Sequence, residues 1–91
     1  MRRVLFSTML LIAGLVTTAE LRAQADSCEA LWVERNQIYK AGGYCFKTAR
    51  AIQYFGNPNC RYRDEDDVPL SRSERERIAQ ILRIEQQMKC R

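Results

Sequence analysis

The 91-residue sequence contains no histidine, two prolines, four glycines and a single tryptophan. Each shortage removes something. Without histidine the chain lacks the side chain most often used as a general base near neutral pH, and the commonest partner of cysteine in zinc sites. So few prolines and glycines leave long stretches free of helix breakers. Strand-like alternation, internal repeats and low-complexity tracts are missing too, which argues against a sheet or an array. No serine stands in a glycine-flanked nucleophile turn. Glu74 and Glu85 fall about three turns apart on one predicted helix, too far for a glycosidase pair. The chain therefore reads as a non-enzymatic protein that carries no cofactor or metal.

What is present begins with an export signal. Arg2 and Arg3 precede an uninterrupted apolar run from Val4 to Val16, and small residues follow. This is the three-part layout of a signal peptide. Ala23-Gln24-Ala25 offers the best cleavage site, with Thr17-Thr18-Ala19 second. The run is shorter than the ~20 residues that cross a bilayer, so no stable membrane span is expected after cleavage. Arg2-Arg3 is a weak match to the twin-arginine route, and Asp26 sits badly in a lipoprotein box before Cys28. The expected domains are a signal over 1–25 and a mature domain over 26–91. Of 15 basic and 11 acidic residues the signal removes three and one, so the charge falls from +4 to +2. A nucleic-acid partner loses its electrostatic basis with that change. The expected location is the periplasm or the medium.

A mature chain of 66 residues has little interior and needs staples. Cys28, Cys45, Cys60 and Cys90 lie 17, 15 and 30 residues apart. That spacing lacks the close ligand pairs of a zinc site, and an oxidising compartment makes two disulfides the natural reading. Three helices are predicted. The first runs from Cys28 to Ala41, capped by Asp26 and Ser27 with Glu29 and stopped by Gly42-Gly43. The second follows Thr48 through Ala51, Ile52, Tyr54 and Phe55 to Gly56-Asn57-Pro58. The third follows a Ser71–Glu74 capping box from Arg72 to about Lys89, after a loop over 59–69. The fold class is all-α, a small three-helix domain with two disulfides.

Helical projection sets Cys28, Leu31, Trp32, Ile38 and Tyr39 on one face of the first helix, with Arg35 in its middle. On the third, Ile78, Ile81, Leu82 and Met88 flank Glu85. A lone buried charge is costly, so Arg35 and Glu85 are expected to meet as a buried ion pair. Antiparallel packing with those two opposite each other brings Ile38 to Leu82, Leu31 to Met88 and Cys28 to Cys90. The expected disulfides are then Cys28–Cys90 and Cys45–Cys60. Cys90 projects more than a quarter turn off the stripe, so this pairing requires the last turn to end or fray there.

Of the aromatic residues, Trp32, Tyr39 and Phe55 have core-facing spacing, while Tyr44 and Tyr62 are the expected exposed exceptions and candidates for glycan stacking. Arg61 and Arg63, with Arg72 and Arg75, form a candidate patch toward an anionic polymer, interrupted by acidic neighbours. Asp64, Glu65, Asp66 and Asp67 lack the alternation, turn glycine and distal acid of a calcium loop, and read as solvated.

Arg35-Asn36, Ile38-Tyr39, Gly43-Tyr44, Phe46, Tyr54-Phe55, Leu70-Ser71, Glu74, Ile78, Ile81 and Ile84-Glu85 together resemble the YARHG domain, a bacterial extracellular module, in order and rough spacing over residues 30 to 86. The signature itself reads Tyr39-Lys40-Ala41-Gly42-Gly43 here, without the Ala-Arg-His of the name. No role of that histidine is carried over. The resemblance implies a location and a fold without a reaction. Two functions remain open: an exported module that binds a cell-envelope component or partner protein, and a small secreted inhibitor or effector of another protein.

Overall fold

A computed structural model describes residues 17–91 of the chain. The charged start and apolar run of the expected signal, residues 1–16, lie outside the described residues. Three helices follow in order: α1 over Thr18–Ala41, α2 over Ala49–Phe55 and α3 over Arg72–Gln87, with a short 3₁₀ turn at Glu65–Asp67. Among the described residues there is no strand, and none of their helices is long and apolar enough to cross a membrane.

The start of α1 corrects the sequence reading. Asp26 and Ser27 do not cap it; they lie inside it, and the Ser27 hydroxyl donates back to the Ala23 carbonyl at 3.0 Å. The helix begins ten residues earlier, where Thr17 and Glu20 form a reciprocal capping box. The cause is local. Ala19, Leu21, Arg22, Ala23, Gln24 and Ala25 are all good helix formers, so nothing upstream obliges the helix to start at the later cap. Asp26 and Ser27 are merely tolerated within it.

Both long helices end the same way. At the end of α1 the Tyr44 N–H donates to the Tyr39 carbonyl (3.1 Å) and the Gly43 N–H to that of Lys40 (3.0 Å), with Gly43 at φ 96°. This paired closure needs a left-handed residue. Gly42 is required for another reason: a Cβ there would stand 2.5 Å from Cγ1 of the fully buried Val68. At the end of α3 the Cys90 N–H donates to Glu85 (2.8 Å) and the Lys89 N–H to Gln86 (3.1 Å), with Lys89 itself left-handed at φ 58°. Thus α3 stops at Gln87, two residues short of the expected end, and the reversal at Lys89 swings Cys90 off the helix.

That swing answers the projection problem. Cys90 meets Cys28, and Cys45 meets Cys60, in two disulfides that leave no free cysteine among the described residues. α1 and α3 pack antiparallel, tied at one end by Cys28–Cys90 and further along by Arg35–Glu85 and Glu34–Arg77. Trp32, Phe46 and Ala51 form a buried cluster, with Val33, Tyr39, Tyr44 and Phe55 packed against it; Val68, Ile78 and Ile81 are buried as well. Leu82 does not join them. It is 41% exposed, because Ile78, Ile81 and Glu85 centre the buried face and Leu82 lies about a quarter turn to one side.

Candidate functional site

The segment between α1 and α2 is held unusually well for a loop. Cys45 and Cys60 join it to the segment after α2. The Cys45 N–H donates to the Tyr62 carbonyl (2.7 Å), and the N–H groups of Arg61 and Tyr62 both donate to that of Gly43 (2.7 and 3.0 Å). An isolated parallel bridge pairs Tyr44 with Tyr62. Asn57 adds a clamp on Phe46, whose N–H donates to Asn57 Oδ1 (2.7 Å) while Asn57 Nδ2 donates to the Phe46 carbonyl (3.0 Å). Thr48 then caps α2 by accepting from the Ala51 N–H (3.1 Å).

This fixed segment closes one side of a recess of ≈ 150 Å³. α1 supplies Trp32, Arg35 and Asn36 to its wall; Tyr44, Phe46, Lys47 and Thr48 come from the loop; Ala51 comes from α2 and Glu65 from the 3₁₀ turn. The rings continue around it in a chain: Tyr39–Tyr44, Tyr44–Phe46, Phe46–Phe55 and Phe55–Trp32 all have centroids 5.1 to 5.6 Å apart. Arg50 lies 3.7 Å from the centroid of the Trp32 ring and pairs with Glu29 on α1.

Several of the polar groups of the recess are held in place. Arg35 binds Glu85 side-on, Nε to Oε1 at 2.9 Å and Nη2 to Oε2 at 3.1 Å. Glu85 is the more buried of the two, with a side chain 9% exposed against 20% for Arg35. The Nη1 edge of Arg35 has no protein partner among the described residues. Asn36 is buried at 8% exposure and donates through Nδ2 to the Trp32 carbonyl (2.9 Å), while its Oδ1 receives nothing from the described residues. Lys47 lies 3.9 Å from Asp64. Burial holds the Tyr44 hydroxyl above its ordinary pKa, with Glu65 and Asp64 pushing the same way, so it stays protonated. Asn36 was missed by sequence reasoning. The signal was an amide four residues after Trp32, on the same apolar face, in a helix where asparagine is a poor former.

The other expected residues are distributed differently. Arg61 and Tyr62 line a separate, wider recess with Lys40, Gly42, Gly43 and Pro69, whereas Tyr44 lines the aromatic one. Arg63 is exposed and lines neither. The four do not form one surface. Tyr44 and Tyr62 are also half-buried rather than the most exposed aromatics, because the 45–60 disulfide and the bridge fold them back; Tyr54, at 56%, is the exposed ring. Of the basic patch, Arg72 pairs with Glu76 and Arg75 donates to the Val68 carbonyl. Asp64, Glu65, Asp66 and Asp67 are exposed and border an open recess with Tyr44 and Lys47.

A disulfide-stapled, all-helical module with a loop built rigidly against an aromatic cluster is the class this architecture defines. The chain belongs to the YARHG family, whose domain matches residues 6–86. The family is of an extracellular type and has no established activity, and the two disulfides accord with an oxidising compartment. No curated protein and no solved structure matches the chain.

Proposed function

We propose that this protein is an exported, non-enzymatic binding module whose ligand is a component of the cell envelope. The observation that carries the reading is the pre-formed recess, in which the rings of Trp32, Tyr44 and Phe46 stand beside polar groups that the fold holds in place, the combination by which ligand sites fix a bound group. The one aliphatic hydroxyl of the wall, that of Thr48, is engaged in capping α2, and no histidine is present to activate it, so the wall favours recognition over nucleophilic chemistry. Export is part of the proposal: removal of residues 1–25 delivers the module to the envelope, and N-terminal sequencing of the exported chain should begin at Asp26.

Co-sedimentation of the exported chain with purified peptidoglycan tests the reading. Pelleting at low salt that persists at moderate salt is expected, because the site is not built on net charge, and Tyr44→Ala should release the protein to the supernatant. Failure to pellet at low salt would overturn wall binding and turn the assignment to a protein target, as for a secreted inhibitor.

A further inference from the structure

We propose that the recess bounded by Trp32, Arg35, Asn36 and Phe46 receives an acetamido group, the substituent that N-acetylated amino sugars carry. This rests on the envelope-binding reading and names the chemistry that the site would take. Size comes first. At ≈ 150 Å³ the recess is well below the ~300 Å³ at the lower end of pockets that enclose a whole drug-sized ligand, so it takes a substituent while the rest of the ligand stays at the mouth.

Charge narrows the choice. Arg35 is neutralised by Glu85 and Lys47 faces Asp64, while Glu65 adds a negative charge to the wall. A carboxylate or phosphate there meets Glu65 and only cations that already have a carboxylate beside them. Next to the paired guanidinium of Arg35 an uncharged polar group is the better fit. The hydrogen-bonding inventory then specifies it. Besides Lys47, Glu65 and the hydroxyls of Tyr44 and Thr48, the wall has from α1 a donor edge, Arg35 Nη1, and a buried acceptor, Asn36 Oδ1, neither with a partner among the described residues, next to the apolar side chains of Trp32, Phe46 and Ala51. Buried polar atoms in native proteins are nearly always paired, so the idle amide oxygen marks a place for a donor from outside. An acetamido group supplies the complement: its N–H donates to Asn36 Oδ1, its carbonyl accepts from Arg35 Nη1, and its methyl packs on the rings. A sugar ring at the mouth lies beside Tyr44, whose protonated hydroxyl is a donor. Arg35 thereby has a second role; Glu85 serves as a positioning residue for it.

The same group occurs on N-acetylated peptides, so the test carries both sources. ¹⁵N-labelled exported chain is titrated with N-acetylglucosamine oligomers, with the corresponding glucosamine oligomers and with N-acetylalanine amide, following the Trp32 indole, the Asn36 side-chain amide and Arg35 Nε–H. Saturable shifts of these signals are expected with the acetylated sugar, with affinity at least tenfold lower for the deacetylated one, and Asn36→Leu should abolish the preference. The comparison of the two sugars on the parent protein needs no variant, so poor folding of Asn36→Leu does not disarm it. Equal affinity for both sugars, or no shift at these residues, overturns the acetamido assignment. If pelleting with peptidoglycan persists in that case, the envelope reading stands without it. Tighter binding of the acetylated peptide keeps the group and overturns the sugar as its source.

Discussion

At the scale of single residues, the ion pair between α1 and α3 is asymmetric, and its energetics should be too. Arg35→Ala strands a carboxylate with a side chain only 9% exposed, which places it near the ~3 kcal/mol that breaking a buried pair costs. Glu85→Ala leaves a guanidinium that already reaches water and keeps a free edge, so about 1–2 kcal/mol is expected. Urea unfolding of the two variants should show that order; equal losses would mean that both ends are buried alike. Tyrosine ionisation provides a pH test. Burial raises the pKa of Tyr39 and Tyr44 above the ordinary 10.0, with Glu65 adding to both. The folded state therefore favours the protonated phenol, and the associated stability is complete below pH 10 and lost as pH rises through the folded values. Melting temperature should fall above pH 10, and Tyr39→Phe should flatten that fall. Arg35 and Glu85 were legible in the sequence because charges interrupt two apolar stripes. Asn36 Oδ1 was not, since only the packed structure shows that nothing among the described residues answers it.

At the scale of elements, the third helix was readable almost to the residue, because Ser71 and Glu74 make a capping box after a proline-containing loop and nothing upstream competes. The first helix was misplaced at its start for the opposite reason: a good cap at Asp26 was preceded by strong helix formers. Cleavage after Ala25 would remove Thr17, and the chain would then have Asp26 and Ser27 as its only cap. We expect the exported form to begin α1 there, shown by loss of helix-type chemical shifts from no residue beyond Cys28. At the other end of α1, Gly42→Ala should cost about 1–3 kcal/mol by overpacking, since the new methyl would have to displace buried Val68. A chemical melt of that variant measures it.

At the scale of the whole molecule, a small interior is held by covalent ties of unequal reach. Cys28–Cys90 closes 62 residues and Cys45–Cys60 closes 15, so in the loop-entropy account they contribute about 4 and about 3 kcal/mol. Replacing Cys28 and Cys90 together by serine should lower the unfolding midpoint more than replacing Cys45 and Cys60. The second pair should instead disturb the recess, because it holds the loop that carries Tyr44 and Phe46, and binding assays on the two variants would separate these effects. The sequence by itself determined the helices, the need for disulfides and the facing of Arg35 with Glu85, because periodicity, caps and unpaired charge are local properties of the chain. Only the tertiary structure decided where α1 begins, that Lys89 turns left-handed to deliver Cys90, that Leu82 stays outside while Val68 goes in, and that Tyr44 and Tyr62 serve different recesses. Those outcomes depend on which surfaces meet, and a one-dimensional pattern does not record how two helices and a stapled loop close around the space between them.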